Sequence, residues 1–169
     1  MLAEDEAALS SIATTSRMWA EKGRQPIVAI NTSAHRKHAT LFGAVSIFDN
    51  KHYSAIADRG NTQTFWNFVE YILEENPDKN IVMIMDNVRF HHAKVIKEIL
   101  LPRVKRIRFV FLPSYSPDLN PQEWVWEELR RKVTHNTYYE NFNDKIKAAH
   151  NFLKRYELPV EKLLCRIIY

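Results

Sequence analysis

The chain has 169 residues with a net charge of +4, 46% hydrophobic and 26% charged, which suits a single globular domain with a self-sufficient core and excludes a disordered one. Cys165 is the only cysteine, so an intrachain disulfide framework and a cysteine-built zinc site are both excluded. No apolar run approaches the ~20 residues that span a bilayer, and the acidic start MLAEDEAAL lacks the basic region of a secretory signal, so a cytoplasmic protein is expected.

In chain order, Met1 to Leu9 reads as the end of a strand, and IVAI (27–30) as a short strand before the basic turn SAHRKH (33–38). TLFGAVSIF (40–48) and KHYSAIA (51–57) are β-rich runs split by Asp49-Asn50, a hairpin turn. TQTFWNFVEYILEEN places Phe65, Phe68, Val69 and Ile72 at helical spacing, and Asn76-Pro77 stops that helix. IVMIM (81–85) is an unbroken apolar run, the pattern of a parallel strand covered on both faces. HHAKVIKEILL predicts a helix ending at Pro102, and IRFVFL (107–112) a further strand. After the loop PSYSPDLNP, one helix is expected from about Pro121 to Val133, and helical structure again from Asn143 onward.

A leading antiparallel section followed by βαβα units predicts an α/β fold, a mixed five-stranded sheet with helices on both faces. The ribonuclease-H-like architecture has this element order; a flavodoxin-like doubly wound sheet is the rival. One domain over 1–169 is expected, with 137–169 as a C-terminal helical extension.

Charge is placed unevenly. Residues 89–132 hold ten basic against five acidic residues, whereas the remainder holds 14 against 15. A local excess of this kind suits a polyanion-binding surface, and equally a solvated charged face. With only three glycines, no glycine-rich phosphate cradle can form.

Asp86 closes the most apolar strand, where open α/β sheets gather ligands. Asp5 closes the first. Were these strands neighbours, the two carboxylates would face each other across about 4.8 Å, a repulsion that a hard cation such as Mg2+ or Mn2+ relieves. An Asp-Asn pair after a strand also starts turns and caps helices, so a turn role for Asp86 stands beside the metal role. Glu123 is the third acid. In Asn120-Pro121-Gln122-Glu123 it fits a capping box, yet it also falls at the edge of the helical stripe Val125, Trp126, Leu129 and Val133, close to the sheet. Glu127 and Asp118 are weaker rivals. His35 and His38 read as a solvated loop, His91 and His92 as surface histidines at a helix start or as contacts to substrate or a metal-bound water, and Trp66 and Trp126 as core.

AEDEA, RMWAEKGRQPIV with Trp19, Gly23 and Pro26, MDNVRFHHA, and LPSYSPDLNPQEWVWEELRRKV together resemble the catalytic domain of insertion-sequence transposases of the mariner-like DDE superfamily, in order from Met1 to about His135. The resemblance implies a ribonuclease-H-like fold, with Asp5, Asp86 and Glu123 as the catalytic acids and the ligands of two Mg2+ or Mn2+ ions; 36 residues separate the second acid from the third. It implies phosphodiester cleavage at transposon ends and strand transfer to target DNA, with terminal inverted repeats and a TA-containing target as substrates. Asn87, Arg89, His91, Lys94, Trp124, Arg130 and Arg131 are the DNA-contact candidates on this reading. A homodimer and a nucleoid-associated location on DNA accompany it. The family's helix-turn-helix region is expected to be absent ahead of Asp5. The alternatives are a non-catalytic DNA-binding or dimerisation remnant of a transposase and, last, a phosphotransfer receiver domain.

Overall fold

The computed structural model describes residues 1–29, 36–49, 51–113 and 116–157, with the side chains of Arg89 and Pro117 also outside the description. Parts of the expected strand at 27–30, the basic turn with His35, the Asp49-Asn50 turn, the loop at Tyr115 and the end of the C-terminal extension therefore lie outside the described residues.

Five strands form one sheet: β1 (Leu2–Ser10), β2 (His38–Ser46), β3 (His52–Ala57), β4 (Ile81–Met85) and β5 (Ile107–Phe111), in the order β3-β2-β1-β4-β5. β1 pairs antiparallel with β2 and parallel with β4; β2–β3 is antiparallel and β4–β5 parallel. The first strand is thus a full nine-residue strand at the centre of the sheet, not a strand's end: its whole length is in register with β2, from Leu2 opposite Ser46 to Ser10 opposite His38. Residues 27–29 form no strand, and Ile27 is exposed with no sheet edge to pair with.

Helices α1 (Thr62–Glu74), α2 (Leu101–Arg103), α3 (Gln122–Leu129) and α4 (Phe142–Arg155) complete the chain. α1 starts on a reciprocal cap. Asn61 Oδ1 accepts from the Gln63 and Thr64 amides, and the Asn61 amide donates to Thr64 Oγ1. Its buried stripe of Phe65, Phe68, Val69 and Ile72 packs on one face of the sheet against Leu2, Phe42, Met83 and Met85. On the other face, Val125, Trp126 and Leu129 of α3 and Ala149 and Leu153 of α4 pack against Ala3, Leu41 and Val45. The period of two along a strand sends Leu2 to the first core and Ala3 to the second.

The helix expected over 91–101 is broken into a 3-10 turn (Arg89–His92), a π turn (Ile96–Leu100) and the short α2. Pro102 has no N–H for the Glu98 carbonyl, and the Leu101 amide reaches five residues back to Ile96. Ala93, at ψ 138°, leaves the helical region altogether. The helix expected from Pro121 to Val133 is α-helical only to Leu129, then widens into a π turn over Arg130–Thr134.

Candidate active site

The register of β1 on β4 places Leu2 opposite Met83 and Ala3 opposite Ile84; the same offset puts Asp5 level with Asp86. As an odd-numbered residue of β1, Asp5 shares the face of Ala3 and looks towards α3, while Asp86, just past the end of β4, brings its Oδ1 to 3.5 Å from His91 Nδ1. The two strands are neighbours, as expected, but Asp5 lies within β1, with five more residues of the strand after it, rather than at its end; Asp86 follows the last residue of β4.

Three contacts dock α3 over Asp5. Trp126 Nε1 donates to Asp5 Oδ2 at 3.0 Å. Asn120 Nδ2 donates to the Glu4 carbonyl at 2.8 Å, tying the loop ahead of α3 to β1. Gly43, directly opposite Asp5 on β2, leaves room for the helix: a Cβ there would collide with the Gln122 side chain and sit 2.7 Å from the Trp126 ring. Only glycine permits so close an approach. The carboxylate of Glu123, in the first turn of α3, pairs with Arg130 Nη2 at 3.4 Å rather than turning back to the Asn120 amide, so the expected capping box does not form. Asn120 caps alone, its Oδ1 accepting from the Gln122 amide at 3.1 Å.

Burial pushes the Asp5 carboxyl up to about 7; the charge of Glu123 adds most to that rise, followed by Glu6 and then Asp86. Asp5 therefore feels the charge of both other expected acids, although the three do not bring their donor atoms within 4.8 Å of one another. Their donor set is all oxygen, which fits a hard divalent ion. Asp86 also fills the turn role weighed for it, since its Oδ1 accepts from the Val88 amide at 3.1 Å.

The tightest cluster lies elsewhere. Among the described residues, the group of three possible metal ligands whose donor atoms all fall within 4.8 Å of one another is Glu4, Glu6 and His91. Expected at the surface or on substrate, His91 is instead buried at 1% exposure, its ring drawn inward between Glu6 and the end of β4. Glu4 and Glu6 were not singled out from the sequence, although the run Glu4-Asp5-Glu6 on a strand covered on both faces was the available signal.

Other candidates sit as follows. Asn87 Nδ2 donates to the Leu112 carbonyl at 2.8 Å and its Oδ1 lies 3.0 Å from His92 Nε2, so it straps the ends of β4 and β5 together. Lys94 pairs with Glu98 at 3.8 Å, and Arg131 with Glu128 at 2.6 Å, both on the surface. Trp124 is half-buried on α3, off the stripe formed by Val125, Trp126 and Leu129. Trp66 and Trp126 are core, as expected. No helix among the described residues is long and apolar enough to cross a membrane.

A family model described as DDE superfamily endonuclease matches residues 1–145. The uncharacterized protein y4pE/y4sA of Sinorhizobium fredii (strain NBRC 101917 / NGR234) is 27% identical over 112 residues, 64% of this chain and 77% of that protein. A pre-cleavage Mos1 transpososome superposes with a TM-score of 0.73 at 13% identity, covering 99% of this chain and 53% of that one. The Mos1 mariner paired-end complex with Mn gives 0.68 at 14%, covering 99% and 53%. The catalytic domain of Mos1 mariner transposase gives 0.63 at 14%, covering 99% and 78%. At such identities the likeness is one of fold, and this chain spans about half the length of the Mos1 chains in those two complexes. The sheet order, the helices on both faces and the family match agree: the fold is ribonuclease-H-like, and the chain belongs to the DDE superfamily of endonucleases.

Proposed function

We propose that this chain is the catalytic core of a mariner-like DDE transposase, with Asp5, Asp86 and Glu123 as its catalytic acids and as the ligands of two Mg2+ or Mn2+ ions. The observation that carries the reading is the level placement of Asp5 and Asp86 on adjacent parallel strands, with the helix of Glu123 pinned above them by Trp126 and Asn120. A paired-ion site does not need all three carboxylates on one atom, because ions about 3.5–4 Å apart let separate ligands serve each. Bound ions would activate a water or 3′-hydroxyl oxygen and stabilise the departing oxygen.

The protein's own part is positioning. Trp126 orients Asp5 Oδ2, the Val88 amide orients Asp86 Oδ1, and Arg130 stands beside Glu123. The reaction forms one P–O bond to the incoming oxygen and breaks one to the leaving oxygen. Hydrolysis at a terminal inverted repeat frees a 3′ end, which the same carboxylates then direct at a TA-containing target. Lys94, Trp124, Arg130 and Arg131 would lie along the DNA, phosphate contacts setting its position, with Asn87 holding the adjoining strand ends. The Mos1 structures include a paired-end complex with a left transposon end and a strand transfer complex, which supports DNA as partner; a homodimer and action on DNA in the cytoplasm or nucleoid are part of the same proposal.

The test is Mn2+-dependent nicking of an end-labelled duplex. Wild-type protein should cut, and Asp86→Ala or Glu123→Ala should lower the rate at least 100-fold with duplex binding retained. Binding without cleavage in all three proteins would leave the non-catalytic remnant instead.

A further inference from the structure

We propose that Glu4, Glu6 and His91 form a second divalent-cation site, on the face of the sheet opposite Asp5, suited to Zn2+ or a similar first-row ion. The geometry supports it at each donor. His91 Nε2 lies 2.9 Å from Glu6 Oε1 and 3.9 Å from Glu4 Oε2. A tetrahedral ion with bonds of about 2.0–2.2 Å holds neighbouring donors roughly 3.3 Å apart, between those two values. An imidazole with two carboxylates suits Zn2+, whereas Mg2+ prefers oxygen alone.

Two further observations point to an ion. The Glu4 side chain has no exposed surface, and neither of its oxygens has a hydrogen-bond partner. A carboxylate sealed in this way, under α1 and against the sheet core, is costly without a cation or a proton. His91 is the second: both ring nitrogens face acceptors. Nδ1 lies 3.3 Å from the Asp86 carbonyl, and Nε2 faces Glu6. Without an ion the ring meets both acceptors by carrying two protons, which Glu6 favours; an ion on Nε2 would leave it neutral with one N–H. With that proton on Nδ1, donated to the carbonyl, the Nε2 lone pair points at the two carboxylates. A backbone carbonyl on the far nitrogen is the usual outer partner of a metal-bound histidine. Phe65 packs on the ring at a centroid distance of 4.4 Å and helps to fix that orientation.

The site is separate from the proposed catalytic one because period two sends Glu4 and Glu6 to the face opposite Asp5. It touches the proposed catalytic group at Asp86, whose Oδ1 lies 3.5 Å from His91 Nδ1, so an ion there would stiffen the segment that carries Asp86.

The experiment uses the full chain carrying Asp5→Asn and Glu123→Gln, which removes two of the three proposed catalytic carboxylates, and Co2+ as a spectroscopic stand-in for Zn2+. One equivalent of Co2+ should bind with the visible absorption of a four-coordinate ion, displaced by Zn2+ and not by excess Mg2+. Adding Glu4→Gln or His91→Gln, with folding checked by circular dichroism, should weaken binding at least tenfold. X-ray absorption of the Zn2+-loaded Asp5→Asn/Glu123→Gln protein needs no further substitution and should show one imidazole and two carboxylates. Absent Co2+ absorption, absorption surviving both Glu4→Gln and His91→Gln, or a zinc shell without imidazole would each overturn the proposal and leave protons alone holding the cluster. None of these results bears on nicking by the Asp5 group, so the two readings fail separately.

Discussion

Glu4, Asp5 and Glu6 follow one another on β1, and the two faces of the sheet treat their carboxylates differently. Asp5 meets a neutral N–H donor from Trp126 and the charge of Glu123, at a strand end where Asp86 is 44% exposed and its carboxylate can reach solvent. Glu4 and Glu6 meet a buried imidazole beneath α1, with Glu4 sealed completely. One face sets Asp5 under Trp126 beside the half-exposed Asp86; the other packs Glu4 and His91 into the core. The strand is identical on both sides, so the difference comes from the covering helices. α1 brings a phenylalanine wall down to His91, while α3 is held over the sheet by its own side chains, with Glu123 in its first turn.

Removing the lid of the open face should have the largest effect. Trp126 is 1% exposed, and Trp126→Ala should cost about 3–5 kcal/mol, read as the denaturation midpoint in urea. Trp126→Phe sharpens the comparison. It keeps an aromatic ring and loses the N–H, so it should cost about 1–2 kcal/mol and raise the Asp5 pKa further. An unchanged Asp5 titration in Trp126→Phe, followed by carboxyl NMR, would mean that the hydrogen bond does not orient Asp5.

The pH dependence of stability separates the faces next. Asp5 titrates near 7 in the folded chain against 3.8 in the unfolded one, so the native state keeps a proton that the unfolded state gives up between those values. Stability should fall as pH rises from about 4 to 7, by at most about 4 kcal/mol from Asp5. Glu4 acts in the same direction: burial first, then the charge of Glu6, holds its carboxyl well above the usual range. For His91 burial alone would lower the pKa, but the hydrogen bond and charge of Glu6 leave it raised; its contribution is full below the unfolded value of 6.5 and is lost as pH climbs through the folded one. Thermal melts in EDTA should therefore weaken from pH 4.5 to 8. Asp5→Asn should flatten the part between about 4 and 7, and Mg2+ should restore stability most at high pH, where it competes with fewer protons. Melts independent of pH would mean that neither face holds its acids as described.

Much of this architecture was legible in the residues. The apolar run 81–85, the hairpin runs and the helical spacing of Phe65, Phe68, Val69 and Ile72 each matched their burial periods and became β4, β2–β3 and α1. The stripe of Val125, Trp126, Leu129 and Val133 placed α3 correctly against the sheet. What escaped depended on contacts distant in sequence. His91 is buried because Glu6 lies 85 residues earlier on a neighbouring strand, and Trp126 serves Asp5 across 121 residues. The break after His92 falls at Ala93, which carries no breaker signal, and Pro102, read as the end of a helix, lies within α2 just after a π turn. Asp86 was weighed as turn residue or metal ligand, and its Oδ1 accepts from the Val88 amide while the residue keeps its place just past β4.

The smallest effect concerns exposed basic residues away from both clusters of acids. Lys94 and Glu98 form a pair at 3.8 Å with side chains 84% and 60% exposed. Such a pair contributes about 0.3–0.5 kcal/mol, so Lys94→Ala should hardly move the melting temperature. DNA binding reads the same residue differently. If Lys94 lies on a phosphate, Lys94→Ala should weaken binding to every duplex alike and lower the slope of log K against log salt by about 0.9. An unchanged slope would confine Lys94 to its contact with Glu98. The same measurement on Arg131→Ala, whose guanidinium is held by Glu128 at 2.6 Å, should give a smaller change, because that acid already neutralises the charge a phosphate would need.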